Sequence, residues 1–340
     1  MNTDKKSMNG LVAARLDNQR LASAPFKEAV DVVRWFGAVQ AQDFNAAKWA
    51  LALRMRKATD GVIEEAFNKG EILRTHVMRP TWHFVAPEDI RWLLQLTAPR
   101  VNLRAGPNYR KFELDAEVLK RSNKIFTKVL QGGKLLTRAT LKSALNAAGI
   151  DANDGVRLAH ILLRAELDGV ICSGPRLGKQ FTYALLEERA AAAKTIKRDE
   201  ALAELTRRYF RSHAPATLQD FVWWSGLTVE DAKRGMAEVG TPDSARTKQL
   251  SANSTHLLPA FDEYFVAYKD RQIAGGSLSP WDVLGPTFII DGVAAGTWKR
   301  TNSNNVELNS SRALKQSEEL ALKKAMDRYA DYLGDISRRK

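Results

Sequence analysis

The stretch Ala66-Phe67-Asn68-Lys69-Gly70-Glu71-Ile72 decides how this sequence divides into folding units. It ends a helical pattern with a glycine and leads into an apolar run, and Ala165-Glu166-Leu167-Asp168-Gly169-Val170-Ile171 repeats that order. Glycine ends helices readily because it adopts the left-handed conformation without strain. Each copy precedes two short β-like runs separated by a turn, an arrangement typical of the second half of a winged helix. The self-match therefore predicts tandem winged-helix units.

The rest of the chain extends this pattern into an α+β fold of three tandem winged-helix (helix-turn-helix) units followed by a small C-terminal β-barrel-like domain. The third unit rests on the spacings Thr217-x-x-Asp220 and Thr228-x-x-Asp231, which resemble capping boxes and open two short helices. The three winged helices are predicted at 10–90, 131–190 and 197–250. Connecting helices are predicted at 91–130, and the β-rich domain with its closing helix is predicted at 255–340.

The charge balance indicates the kind of partner. Lys and Arg number 52 against 39 Asp and Glu, which gives a net charge of +13 and a pI near 9.8. Such an excess favours a polyanion, with nucleic acid ahead of a membrane surface, although a basic surface can also serve solubility alone. With tandem winged helices, the expected partner is duplex DNA. We predict a monomer without an obligate protein partner.

Composition also excludes several classes of chemistry. The single cysteine, Cys172, excludes an internal disulfide framework and a multi-cysteine metal site. The five histidines are scattered without ligand spacing, so we predict no metal and no cofactor. The first ten residues are polar and no apolar run approaches the length of a membrane span, which predicts a soluble, cytoplasmic protein that does not bind membranes.

The segment Val39-Gln40-Ala41-Gln42-Asp43, between two helical patterns, is the candidate catalytic segment. Gln40 and Gln42 are spaced i, i+2 and project to the same side of an extended chain. Their amides can hold a water but cannot titrate, which suits a reaction with an already activated leaving group. The alternative is that they cap the backbone between helices. Asp43 is expected to be a helix N-cap, and its catalytic alternative is a general base or a charge that stabilises a cation.

Cations and aromatic side chains suited to DNA follow this segment in the first unit. Arg74, His76, Arg79 and His83 lie in a predicted hairpin with Trp82. This mixture is typical of a cleft that takes a nucleotide, although an isolated histidine is usually structural. We predict that these four basic residues bind DNA.

The second unit carries a further set of candidate DNA-binding residues. Arg157, His160 and Arg164 recur at i, i+3 and i+7 and share one face of a predicted helix. Arg176 and Lys179 lie in the turn between two predicted strands. We expect this face and this turn to contact phosphates, while the alternative for the helix face is simple solvation.

An acidic and aromatic segment, Leu257-Leu-Pro-Ala-Phe-Asp-Glu-Tyr264, precedes the β-rich domain. Asp262 and Glu263 are adjacent, so on a strand they would face opposite ways and make a poor acid/base pair. We expect an ion-pair or hinge role for them at the domain junction.

Six blocks, spread over most of the chain, are distinctive in combination. They are Val39-Gln-Ala-Gln-Asp43, Arg74-Thr-His-Val-Met-Arg79 with Thr81-Trp-His83, Arg157-Leu-Ala-His160, Tyr209-Phe-Arg-Ser-His213, Trp223-Trp-Ser-Gly-Leu227 and Leu257-Leu-Pro-Ala-Phe-Asp-Glu-Tyr264. Together they resemble the AlkZ-type winged-helix DNA glycosylases, from about Leu11 to Leu333. The resemblance implies three winged helices and a β-barrel around a DNA-sized channel. It also implies excision of N-alkylated purines and, in some members, unhooking of interstrand crosslinks.

The family's Gln-apolar-Gln signature matches Gln40-Ala41-Gln42, so the resemblance implies that these glutamines hold the attacking water. Alkylation at N7 or N3 makes a purine cationic, and its glycosidic bond then breaks without strong protonation of the leaving group. A monofunctional DNA repair glycosylase follows, since no lysine is evident as a Schiff-base nucleophile. The alternatives are a non-catalytic winged-helix DNA-binding protein or transcriptional regulator, expected to be a symmetric dimer, and a scaffold for protein partners.

Overall fold

The structure is a computed structural model that describes residues 2–240, 254–301 and 305–334, with side chains described from Gly10 onward. Within these ranges, no helix is both long and apolar enough to cross a membrane.

Helices dominate the described chain. They are α1 (Asn2–Asn18), α2 (Ala29–Phe36), α3 (Phe44–Ala52), α4 (Asp60–Lys69), α5 (Ile90–Lys111), α6 (Ala116–Leu130), α7 (Arg138–Ala147), α8 (Gly155–Leu167), α9 (Leu186–Arg189), α10 (Arg198–His213), α11 (Leu218–Ser225), α12 (Val229–Val239), α13 (Glu263–Val266), α14 (Gln272–Gly275) and α15 (Gln316–Leu333).

In the part of the chain that the structure describes, ten short strands form three antiparallel sheets. The strands are β1 (Val39–Gln40), β2 (Leu73–His76), β3 (Trp82–Val85), β4 (Leu136–Thr137), β5 (Ile171–Ser173), β6 (Thr182–Leu185), β7 (Thr255–Leu258), β8 (Thr287–Ile290), β9 (Val293–Arg300) and β10 (Val306–Ser310). Within the described residues the sheet orders are β1-β3-β2, β4-β6-β5 and β10-β9-β8-β7.

Helix ends follow the local signals in the sequence. Asp43 caps α3, because its carboxylate accepts a hydrogen bond from the backbone N–H of Ala46 at 3.0 Å. Thr59 caps α4 in the same way, and Gly70 ends it in the left-handed conformation. Gly169, the counterpart of Gly70, is also left-handed, with φ of 69°. Both copies of the helix-glycine-hairpin pattern therefore fold as predicted.

The predicted third unit is helical over its described part. Thr217 and Asp220 form a reciprocal capping box at the start of α11, and Thr228 caps α12 by accepting from the backbone of Asp231. Residues 197–240 contain no strand, and residues 241–250 lie outside the described chain. The wing of a third winged helix therefore stays a prediction. So does closure of the β7–β10 sheet into a barrel.

Two hydrophobic clusters meet at the first unit. One joins the β2–β3 hairpin to α5, α6 and the helices of the second and third units. The other joins α2, α3 and α4 to the C-terminal sheet and α15. The segment between α2 and α3, which holds both glutamines, consequently lies where N-terminal, central and C-terminal parts of the chain pack together.

Candidate active site

The backbone of the glutamine segment is fixed from two sides. The N–H of Ala41 donates to the carbonyl of Trp82 at 2.7 Å, which extends the pairing of β1 with β3. The N–H of Gln40 donates to Oε1 of Glu263 at 2.8 Å, and Nε of Arg74 donates to the carbonyl of Ala41 at 2.9 Å. The segment is therefore a rigid support for its side chains.

The two glutamine side chains have different surroundings. Gln40 is only 7% exposed, and its Oε1 accepts a hydrogen bond from Nη2 of Arg79 at 2.9 Å. Gln42 is exposed, and its Oε1 lies 3.4 Å from the backbone N of Trp82, a long contact for a hydrogen bond. Gln40 is thus held in place, whereas Gln42 is free to adjust to a ligand.

A cavity of about 610 Å³ opens beside Gln40, and we name it the Gln40 cavity. Its volume lies within the range of about 300–1,000 Å³ that is usual for ligand sites. Residues of the first unit, the third unit and the C-terminal domain line it: Gln40, Arg79, Pro80, Thr81, Arg104, Gln219, Val222, Trp223, Phe261, Val266, Lys269, Arg271, Trp281 and Leu284. Aromatic side chains and cations together suit a nucleotide.

Asp262 and Glu263 lie at the start of helix α13 and not on a strand. Asp262 accepts two hydrogen bonds from Arg54, at 2.9 and 2.8 Å, inside the core. The predicted ion-pair role is confirmed for Asp262. Glu263 is fully buried and binds the backbone of Gln40 together with the indole N–H of Trp224 at 2.9 Å.

The sequence suggested an ion-pair or hinge role for Glu263 but did not indicate its contact with Gln40. Its hydrogen-bond partners Gln40 and Trp224 are 223 and 39 positions away, so no local spacing reports the contact. The only signal was the unexplained density of acidic and aromatic residues in Leu257–Tyr264.

The hairpin residues Arg74 and His76 are mainly internal. Arg74 lies against the rings of Trp82 and Phe181, at 4.4 and 4.9 Å from their centroids. Burial lowers the pKa of Arg74 to about 10, while the carboxylate of Glu166 opposes the shift. The backbone N–H of His76 donates to Glu166 at 2.9 Å, and its ring contacts the same carboxylate.

His83 is fully buried. Its Nδ1–H donates to the carbonyl of Thr81 at 2.9 Å, and burial, followed by the charge of Arg79, lowers its pKa well below the usual value. The prediction that His83 contacts DNA does not fit this position, because a neutral ring within the core cannot reach a phosphate.

A second cavity, of about 680 Å³, lies on the side of Arg74. We name it the Arg74 cavity. It is bounded by the hairpin of the first unit and by the second unit, and its lining includes Arg74, Trp82, Arg138, Lys142, Lys179, Phe181 and Tyr183. The two cavities therefore lie beside neighbouring parts of one hairpin.

The basic face predicted on α8 lies apart from both cavities. Arg157 donates to the carbonyl of Phe112 at 3.3 Å, and the ring of His160 lies 5.6 Å from that of Phe112. Burial lowers the pKa of His160. Arg164 pairs with Asp168 on its own helix at 2.7 Å. Within the described chain, none of these three predicted contacts lines either cavity.

The predicted wing residues Arg176 and Lys179 differ in exposure. The guanidinium of Arg176 lies over Phe44 and Phe181, and its side chain is only 13% exposed. Its backbone N–H donates to Asn68 at 2.8 Å, so it ties the wing to the first unit. Lys179 is exposed and lines the Arg74 cavity.

Comparisons with known proteins place this chain among the DNA glycosylases. The family model described as DNA glycosylase AlkZ-like matches residues 33–332, and the chain belongs to this family. The resemblance seen in the sequence blocks is thereby confirmed.

Relatives of the chain include one curated protein and one solved structure. An interstrand DNA cross-link repair glycosylase of Streptomyces sahachiroi is 24% identical over 338 residues, which cover 87% of this chain and 88% of that protein. The structure of Streptomyces sahachiroi DNA glycosylase AlkZ is similar with a TM-score of 0.79 at 20% identity, and the match covers 96% of each chain.

Proposed function

We propose that this DNA glycosylase hydrolyses the N-glycosidic bond of N-alkylated, cationic purines in duplex DNA by a monofunctional mechanism. The observation that carries the proposal is the position of Gln40, a neutral amide held by Arg79 and facing a nucleotide-sized cavity. Because a curated relative is named as a cross-link repair glycosylase, we extend the proposal to bulky adducts and interstrand crosslinks.

The chemistry requires little from the protein beyond orientation. An alkylated purine already carries the positive charge that makes it leave, so the protein need not protonate it. Gln40 and Gln42 would orient a water toward the anomeric carbon, and fixed dipoles would stabilise the oxocarbenium-like state. Gln42 is exposed and can approach a nucleotide that enters from the solvent side.

The proposed DNA path runs over the basic linings of the two cavities. Lys179 is exposed and lines the Arg74 cavity, so it is the first candidate for a phosphate contact, whereas Arg79 in the Gln40 cavity is partly buried and donates to Gln40. Arg74 and His76 support the hairpin between them. Gly155 and Leu158 of α8 line the Arg74 cavity, so Arg157, His160 and Arg164 would contribute only if the duplex extends beyond that cavity to their side of the helix. We propose that the protein acts as a monomer.

Lys269 gives the monofunctional proposal a direct test, because it lines the Gln40 cavity. A Schiff-base lysine is made nucleophilic by desolvation or by a neighbouring cation, and Lys269 is exposed. We expect no protein–DNA adduct when borohydride is added during the reaction. A trapped adduct that disappears in Lys269→Ala would replace hydrolysis by a lysine-based mechanism.

The main experiment measures single-turnover release of N7-methylguanine and the unhooking of crosslinked duplexes. Gln40→Ala and Gln42→Ala should each slow release about 10- to 1000-fold, or about 1–4 kcal/mol, as for loss of one positioned polar contact. DNA affinity and thermal stability should change little. Uracil, a neutral lesion, should be a poor substrate.

Two results would contradict the proposal. A folded double variant, Gln40→Ala with Gln42→Ala, that releases base at the normal rate would remove the glutamines from the mechanism. A wild-type protein that binds duplex DNA strongly but releases no alkylated base would favour a purely DNA-binding role.

A further inference from the structure

Arg79 determines which way the amide of Gln40 faces. Its Nη2 lies 2.9 Å from Oε1 of Gln40. A guanidinium carries only donors, so the amide must turn its oxygen toward Arg79 and its NH2 group away. Among the described residues, this NH2 group has no hydrogen-bond partner, and Gln40 lines the Gln40 cavity. Gln40 therefore offers the cavity a hydrogen-bond donor.

The turn that carries Arg79 is itself held in place. Met78, the preceding residue, has φ of 63°, an unusual conformation for a residue with a side chain. Its carbonyl oxygen packs so closely on Gly226 that a β-carbon there would lie 2.3 Å away. Burial lowers the pKa of Arg79, and the negative charge of Glu263 opposes this shift. The guanidinium thus has a fixed position and a nearby counter-charge.

Gln42 lacks such a constraint. Its only side-chain hydrogen bond among the described residues is the long contact from the backbone N of Trp82. The side chain is exposed and lines neither cavity, so its amide has to rotate toward the Gln40 cavity to present its oxygen to a ligand there. The two glutamines are therefore not equivalent, although they are chemically identical.

We propose that Arg79 is a positioning residue that fixes Gln40 as a hydrogen-bond donor to the attacking water and leaves the acceptor role to Gln42. This inference rests on the proposed hydrolysis. The NH2 group of Gln40 donates a hydrogen bond to one lone pair of the water oxygen, and Oε1 of Gln42 accepts a hydrogen bond from one of the water's O–H groups. The second lone pair attacks the anomeric carbon. The bond to the purine nitrogen breaks, the purine leaves neutral with the bonding electrons, and the water loses a proton to solvent.

A double-mutant cycle tests whether Arg79 acts through Gln40. Arg79→Met should slow single-turnover release about 10- to 100-fold at saturating enzyme, as for a lost positioned contact. In the Gln40→Ala background the same change should cost no more than about 2-fold, because coupled residues are not additive. Arg104→Met removes another cation of the same cavity and should have the same effect in both backgrounds. Additive losses for Arg79 and Gln40 would overturn the proposal.

Carboxylate replacements test the two roles separately. A carboxylate accepts hydrogen bonds but cannot donate them when ionised. Gln40→Glu should therefore be as slow as Gln40→Ala, whereas Gln42→Glu should stay within about 10-fold of wild type, since it keeps the acceptor. Equal losses at both positions would contradict the division of roles. Arg79→Lys keeps one donor and should retain more activity than Arg79→Met.

The side-chain amide signals of 15N-glutamine-labelled protein give a readout that does not depend on activity. Spectra of Gln40→Ala and Gln42→Ala identify the two signals. Arg79→Met should shift the signal of Gln40 and leave that of Gln42 unchanged. A shifted Gln40 signal in a protein that releases no base would refute the proposed function but support the positioning role. An unshifted signal would overturn the positioning role even in an active enzyme.

Discussion

Glu263 connects the glutamine segment to the rest of the protein through a single carboxylate. One oxygen binds the backbone of Gln40, and the other binds the indole of Trp224 and lies 3.6 Å from Nε2 of His213. An unpaired charge in a core is costly, and these polar partners reduce that cost. The neighbouring Asp262 neutralises Arg54, so each acid of the pair stabilises a different part of the junction.

Asp43 offers a test at the scale of one residue, because its cap role and its catalytic alternative make different predictions. Asp43→Asn should leave stability and base release nearly unchanged, since asparagine caps helices as well as aspartate does. Asp43→Ala should lower the free energy of unfolding by about 1 kcal/mol. Urea denaturation and single-turnover release measure the two effects. If Asp43→Asn abolished release at normal stability, the carboxylate would have a catalytic role.

At the scale of elements, two cations of the turn between β5 and β6 have different surroundings. Arg176 packs on Phe44 and Phe181 and lies 3.7 Å from Glu64, so it attaches the β5–β6 hairpin to the first unit. Lys179 is exposed on the same turn. Of the two cations in this turn, Arg176 therefore packs against the first unit and Lys179 faces the solvent.

The variants Lys179→Glu and Arg176→Ala should distinguish the two cations. Lys179→Glu should weaken binding to duplexes of different sequence by the same factor and should leave protein stability unchanged. The slope of the logarithm of the binding constant against the logarithm of the salt concentration should become shallower by about one unit. Arg176→Ala should lower stability, because it removes buried packing and leaves Glu64 without that cation. Fluorescence anisotropy at several salt concentrations and thermal unfolding measure the two outcomes. If Lys179→Glu lowered stability and Arg176→Ala did not, Lys179 would be the packing residue and Arg176 would not.

Local elements were predictable because their signals are local. The ends of α4 and α8 follow from Gly70 and Gly169, and the start of α11 follows from its capping box. Burial was harder to predict: His83 and Arg176 looked like surface cations, but the residues that cover them come from distant parts of the chain. A short motif does not contain that information.

At the scale of the whole molecule, the candidate site is composite. Gln40, Arg79 and Glu263 come from β1, from the β2–β3 turn and from α13, and they meet only because both hydrophobic clusters pack against the first unit. The sequence offered Gln40 as a candidate, since the motif is short and continuous. It could not indicate the hydrogen bonds that set the orientation of Gln40, because these depend on tertiary packing.

Buried histidines make the stability of this assembly sensitive to acid. Burial lowers the pKa of His83, His213 and His256, and that of His256 falls from 6.5 to about 3. In the unfolded chain these rings take up protons as the pH falls through about 6.5, whereas burial opposes their protonation in the folded protein. The unfolded state then binds more protons, so stability must fall as the pH decreases from 6.5 and recover as it rises.

The window from pH 6.5 to 5 isolates this effect, because carboxylates with ordinary pKa values stay ionised there in both states. Because the pKa of His256 in the folded protein is about 3, this residue should approach a slope of about 1.4 kcal/mol of unfolding free energy per pH unit, and the lowered pKa values of His83 and His213 should add to that slope. Urea denaturation across the window measures the pH dependence of the unfolding free energy to which all three histidines contribute. His256→Gln should reduce that slope by the contribution of His256 alone. Glutamine can still pair with Ser254, whose Oγ lies 3.1 Å from the ring of His256. An unchanged slope in a folded His256→Gln variant would mean that His256 is protonated in the native core. That result would contradict the lowering of its pKa by burial and by the positive charges of Arg328 and Arg54.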